Sequence, residues 1–390
     1  MFVKEKEIYP VKKQHIFLAH CSISPLYASA AAAMERFSRD MSSSGISALP
    51  QYFDTLPRFH KNVAAFLRTT PENISYVHNT AEAISMIANG YPFAPGDEVI
   101  SYMHEYPSNH YPWVVQKNRG VNLVLLSDKK QLQGCGDITR PMGWSMEELE
   151  SKITGKTRVV AISHVQYTSG FAADLKALGA LCRQKGVDLV VDCAQSLGCL
   201  PVYPEEYRIS AVTSSGWKWL MGPMGSGLLY TAPEFREKLS ETMAGPELMR
   251  QGLDYLDLRW TPHDDGRKFE YSTLPWDHVC GMNAVLENLF LKYSIEDIQA
   301  EVFRLQDILL KKIDQDCMRP LLFSAENRSG IIAAEPPCSS KEIVKSLAGN
   351  GVVVSAPVGY LRFAPHFYND EEQMETAAAY INETIAGIMA

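Results

Sequence analysis

Apolar residues along this 390-residue chain recur with two different periods. Short β-branched and apolar runs (Ile74 to Val77, Glu98 to Tyr102, Val159 to His164, Val187 to Val191 and Ile209 to Thr213) read as strands, and the nearly unbroken ones as buried strands of a parallel sheet. Between them, helices are predicted for the alanine-rich residues 28–41, for Leu56 to Leu67 and Leu175 to Lys185 with their 3.6-residue apolar spacing, and for a segment opening at residues 78–84. The helix before the 187–191 strand completes a right-handed βαβ unit, so this part of the chain predicts an α/β domain. Beyond about residue 280 the pattern changes to long helices (Met282 to Tyr293, Ile298 to Lys311) and short strands such as Gly351 to Ser355. That predicts an N-terminal segment 1–30, a large domain 31–275 and a smaller C-terminal domain 276–390.

Two residues at strand ends stand out. Asp192 closes the 187–191 run, and Lys218 follows the small-residue turn Ser214-Ser215-Gly216 between two tryptophans. In open α/β sheets ligands bind beyond the carboxyl ends of the strands, so this acid and this lysine can face one ligand. The pair suits pyridoxal phosphate: a lysine amine condenses with the aldehyde, while a carboxylate keeps the ring nitrogen protonated and the ring an electron sink. Gly222-x-x-Gly225-x-Gly227 does not lie between a strand and a helix as a dinucleotide fingerprint requires, and reads as a tight turn.

Asp192-Cys193-Ala194-Gln195, Ser215-Gly216-Trp217-Lys218 and Gly222-Pro223-Met224-Gly225-Ser226-Gly227 closely resemble the D-x-A-Q, S-x-H-K and G-P-x-G-x-G motifs of class V aminotransferases, with Trp217 where many members have histidine. The family includes cysteine desulfurases, isopenicillin-N epimerase and kynureninase. The resemblance implies fold type I of the pyridoxal-phosphate enzymes: an α/β large domain with a mainly parallel, seven-stranded sheet, and a smaller C-terminal α+β domain. It implies Lys218 and Asp192 as catalytic, Gln195 toward the cofactor's 3′ oxygen and Ser215 toward its phosphate. His78-Asn79-Thr80-Ala81-Glu82-Ala83 is similar to the family's G-T-T-E-A, which places Thr80 and the Ala81 backbone on the phosphate at a helix N-terminus. As a residue pattern alone, Thr80 reads equally well as a plain N-cap.

Glu105-Tyr106-Pro107-Ser108-Asn109 resembles E-H-H-A-N and makes Tyr106 the residue stacked on the ring, although tyrosine transfers protons poorly near neutral pH. Tyr167 stands where the family often has an asparagine near the cofactor's 3′ oxygen and the substrate carboxylate. Leu361-Arg362-Phe363-Ala364-Pro365-His366 resembles L-R-x-S-P-H, so Arg362 is the expected carboxylate clamp, a fork that lysine cannot supply, and His366 a structural residue. His20 lies on a segment that in this family passes the substrate pocket; a hydrogen-bonded structural histidine is the other reading. Arg267-Lys268-Phe269-Glu270-Tyr271-Ser272-Thr273 resembles R-F-E-x-G-T, whose threonine reaches the neighbouring subunit's phosphate, which implies a homodimer with shared sites.

The formal net charge of −8 argues against nucleic acid or an anionic membrane as principal partner. Eight scattered cysteines form neither a disulfide framework nor a zinc module, and His104-Glu105 lacks the second histidine of H-E-x-x-H, so no metal is expected. The charged N-terminus lacks a signal-peptide core and no segment holds 18 consecutive apolar residues, so a cytoplasmic protein is expected. No G-x-S-x-G elbow of a serine hydrolase is present. Between Ser355 and Arg362 there is no thiol of the kind the desulfurases carry on a mobile loop. The expected activity is therefore aminotransferase-type chemistry on an amino acid, which needs no further group. A C-S lyase or cysteine desulfurase-like enzyme, an epimerase and a non-catalytic pyridoxal-phosphate-fold binding protein are the alternatives.

Overall fold

The computed structural model describes residues 2–132 and 140–390; Cys135 lies outside them. Its centre is a seven-stranded sheet in the order Ile74–Val77, Gly227–Thr231, Ala211–Ser215, Asp188–Asp192, Thr157–Ser163, Glu98–Tyr102, Asn122–Leu126. All neighbours pair in parallel except Gly227–Thr231, which runs antiparallel to both strands beside it. This is the mainly parallel sheet of the expected fold.

Strand bounds shift in one consequential place. The 209–213 run folds as Ala211–Ser215, so Ser214 and Ser215 belong to a fully buried strand rather than to the turn after it. Two strands of this sheet, Asn122–Leu126 and Gly227–Thr231, were not read from the sequence. The first is a short apolar run at a sheet edge, and the second follows directly on the glycine-rich turn, where Gly225 has φ +80°. Only glycine adopts that conformation without strain.

A second hydrophobic core gathers Leu18, Leu305, Leu309, Ile343, Leu347, Leu361, Phe363, Met374 and Ile381. It lies around a three-stranded antiparallel sheet, Leu361–Phe363, Ile332–Glu335 and Arg319–Pro320, with helices Ile295–Lys312, Ser340–Gly349 and Glu371–Met389. The helix Trp276–Val285, placed by sequence in the C-terminal domain, buries Val279, Met282 and Val285 in the main core instead. Its spacing shows that one face is buried but not against what, hence the difference. The predicted strand 351–355 reduces to Val352–Val353, which pairs in parallel with Ile16–Phe17. The N-terminal segment is thereby tied to the C-terminal part before it crosses to the large sheet.

Candidate active site

At the end of the Asp188–Asp192 strand the Asp192 side chain is buried, and its Oδ1 accepts from the Ala194 amide at 2.9 Å. Burial raises its pKa, while that hydrogen bond and the Lys218 ammonium pull it down. A carboxylate in that setting gains from a cationic N–H partner. Thr213 is paired beside it in register, with a buried hydroxyl that has no partner. Lys218 has its pKa lowered, first by burial and further by Arg362, against the opposing pull of Asp192. A depressed ammonium pKa leaves more free amine near neutral pH, the form that acts as nucleophile and base.

The lysine's backbone is fixed by the N-terminal segment. Ser24 donates from its hydroxyl to the Lys218 carbonyl at 2.5 Å and from its amide to the Trp217 carbonyl at 3.0 Å. Above the amine lies an aromatic face, with Lys218 Nζ 5.2 Å from the centre of the Tyr106 ring. Tyr106 meets Tyr167 edge to face at 5.2 Å.

At the opposite end, helix Thr80–Gly90 begins with Asn79 as its cap, the Asn79 side chain accepting from the Glu82 amide at 2.9 Å. Thr80 is therefore not the cap. Its hydroxyl is buried and has no partner among the described residues, as is true of Ser215. The first-turn amides of Thr80 and Ala81 have no intrahelical acceptor. Buried donors without partners are uncommon because each costs about 1–3 kcal/mol; one at this helix N-terminus and one at the end of strand Ala211–Ser215, across Gly227 from Val77, mark a place for an anion.

Arg362 is buried and held by the neighbouring Ser355 and by two distant segments. It donates to the Ser355 hydroxyl at 3.1 Å, to the Ser22 hydroxyl at 3.1 Å and to the Tyr167 carbonyl. No carboxylate pairs with it among the described residues. Three of its five donors are used, which leaves two for a ligand carboxylate. Tyr167 thus serves the arginine through its backbone. Cys21 lies alongside, its thiol 3.6 Å from the Ser355 hydroxyl and close enough to Lys218 to affect its pKa.

Three expected residues have surroundings that the sequence did not show. His20 is fully buried, with Nδ1 at 2.8 Å from the Ala364 carbonyl and Nε2 at 2.8 Å from the Tyr368 hydroxyl, so neither nitrogen is free for a substrate. Burial, reinforced by His366, drives its pKa down and makes it a neutral structural residue. Gln195 donates to the Cys21 carbonyl at 2.8 Å and accepts from the Trp219 indole at 3.3 Å, which leaves one amide hydrogen for a cofactor oxygen. Thr273 lines a cavity of about 350 Å³ with Arg250, His263 and Trp276, a cavity lined by neither Lys218 nor Arg362. Ser22, Ser355, Thr213 and Cys21 were missed by sequence reasoning, because small polar side chains outside motifs carry no signal until the fold gathers them.

The sequence profile of the family described as "Aminotransferase class-V" matches residues 16–366. The chain belongs to that family. A probable cysteine desulfurase of Methanothermobacter thermautotrophicus is 24% identical over 97% of this chain and 96% of its own. Among solved structures, a variant of C-DES with glycine covalently linked to its PLP cofactor matches with a TM-score of 0.87 at 19% identity, over 98% of this chain and 100% of that one. The cysteine desulfurase of Thermococcus onnurineus NA1 matches with a TM-score of 0.85 at 20% identity, over 99% of each chain. No helix among the described residues is long and apolar enough to cross a membrane.

The residues of this class-V chain fit pyridoxal phosphate. Thr80, Ala81 and Ser215 would take the phosphate, Asp192 the ring nitrogen, Tyr106 the ring face and Lys218 the aldehyde. When bound, the cofactor supplies a cationic ring that withdraws electrons from the amino acid's α carbon. Lys218 as free amine would be placed to take the α proton, Arg362 to hold the carboxylate and Tyr106 to cover the ring.

Proposed function

We propose that this class-V enzyme uses pyridoxal phosphate to break the Cβ–S bond of a cysteine-type amino acid, releasing the sulfur compound and leaving pyruvate and ammonia. The observation that carries this reading is the segment between Ser355 and Arg362. It has no thiol to receive sulfur, and it is a short closed turn, Pro357–Gly359, whose Tyr360 is buried and donates its hydroxyl to the Arg140 carbonyl at 2.8 Å. Support comes from relatives named for carbon–sulfur chemistry. Besides the desulfurases, C-DES is described as a cystine C-S lyase, and one of its structures holds its reaction product cysteine persulfide. Lys218, Asp192 and Arg362 suffice for the elimination, because the leaving sulfur needs no acceptor on the protein.

One observation favours a second reading. The Cys21 thiol beside Ser355 stands on the carboxylate side of the site. Were it to take the substrate's sulfur, the S–S bond formed would leave the Cβ–S electron pair on carbon, and protonation there would give alanine. Holoenzyme incubated with L-cystine and with L-cysteine decides between them. Pyruvate and ammonia are expected; alanine with an added sulfur atom on Cys21 would install the second reading. Conversion of the cofactor to its amine form without sulfur release would return the reaction to aminotransferase-type chemistry.

The site is further proposed to be completed by a second copy of the chain. Thr273 matches the family's phosphate-reaching threonine yet lines a cavity that Lys218 does not. Size-exclusion with light scattering should report a dimer at micromolar concentration, and a monomer would remove the shared site.

A further inference from the structure

Glu105 is a buried carboxyl group, 6% exposed, that none of the steps above uses. Three donors converge on it: the Ser163 amide at 2.8 Å, the Ser163 hydroxyl, and the Gln166 side-chain amide at 2.9 Å. Among the described residues no lysine or arginine pairs with it. Burial raises its pKa to about 7, against the lowering effect of those hydrogen bonds.

Its place in the chain matters more than its charge. Glu105 immediately precedes Tyr106, the ring over Lys218. Gln166, which it holds, immediately precedes Tyr167, whose carbonyl accepts from Arg362 and whose ring meets Tyr106 edge to face. One carboxyl group therefore ties together the two loops that deliver the aromatic face and the arginine's backbone acceptor. We propose that Glu105 is a positioning residue that keeps the Tyr106 face and the Arg362 guanidinium in register, so that ring stacking and carboxylate binding are set by one buried clasp. This rests on Arg362 as the carboxylate's partner.

The clasp is geometric, so an isosteric amide should serve. In Glu105→Gln the amide oxygen can keep accepting from the Ser163 amide and the Gln166 side chain, while the new NH₂ takes the place of the other oxygen and donates to the Ser163 hydroxyl, which can accept. Glu105→Ala removes all three contacts. In holoenzyme titrated with L-cysteine, followed by the change in the cofactor's visible band, Glu105→Ala should weaken amino-acid binding about tenfold, and Glu105→Gln should restore it to within about twofold of wild type. Binding of cysteamine, the same molecule without its carboxylate, should fall much less than that of L-cysteine in Glu105→Ala, by only the share that the Tyr106 face carries, and should be near wild type in Glu105→Gln. Gln166→Ala opens the clasp from the other side and should reproduce the Glu105→Ala pattern, so the test survives a failure of Glu105→Ala to fold.

Equal losses for L-cysteine and cysteamine, or a Glu105→Gln as impaired as Glu105→Ala, would overturn the clasp. A wild-type holoenzyme whose band does not respond to L-cysteine would overturn the proposed function instead, and L-alanine as probe would still test the clasp.

Discussion

The two ends of the active site are built on opposite terms. At the phosphate end, the hydroxyls of Thr80 and Ser215 are buried without partners beside free helix-terminal amides. At the carboxylate end, Arg362 already donates to Ser22, Ser355 and Tyr167. An unpaired buried donor costs about 1–3 kcal/mol, which the first end recovers when an anion arrives. The second end keeps a satisfied cation and offers only its spare donors. The difference suits a group that stays and a molecule that must leave, a tight resident cofactor and an exchangeable amino acid.

The largest effect separates both ends from the chemistry between them. Lys218→Ala should lower turnover by roughly 10,000-fold while the phosphate end still retains cofactor. Steady-state rates together with cofactor content after gel filtration check this, and residual activity near wild type would move the chemistry to another group. Next, Arg362→Lys keeps the charge and loses the fork, so KM for the amino acid should rise about a hundredfold with cofactor affinity unchanged. A matching loss of cofactor would erase the distinction between the ends. The converse variants, Thr80→Val and Ser215→Ala, should each weaken cofactor binding about tenfold in spectroscopic titration of apoprotein and leave KM unmoved.

The smallest effect on activity belongs to Glu105→Gln and is read on folding. In the folded chain the Glu105 pKa rises from 4.5 to about 7. Below pH 4.5 both states carry the proton and nothing is lost. Between there and pH 7 the folded state holds the proton and the unfolded state releases it, so this group's contribution to stability falls as pH rises, by an amount on the order of 3 kcal/mol at most. Urea unfolding at pH 5 and pH 8 should show that decline reduced in Glu105→Gln. An unchanged decline would assign it to other groups.

The same contrast explains what could be read from sequence. The cofactor end is assembled from motifs only a few residues long, because strand ends and a helix N-terminus place their own neighbours. The sheet was therefore legible, and Asp192, Ser215, Lys218 and Thr80 could be put forward as site residues from short motifs alone. The substrate end draws Ser22, Tyr167 and Ser355 from segments far apart in the chain, and no local period records that convergence. His20 shows the limit: its position beside the pocket was readable, but the Ala364 and Tyr368 partners that occupy both nitrogens were not. The helix Trp276–Val285 makes a related point, since a helix's residues do not record which core they will join.

The central claim is a covalent bond between the Lys218 amine and pyridoxal phosphate held over Asp192. Borohydride reduction of the purified, cofactor-supplied protein followed by peptide mass mapping tests it directly. The account predicts one phosphopyridoxyl group per chain, on the peptide containing Lys218; a label on another lysine, or none after reconstitution, would contradict it.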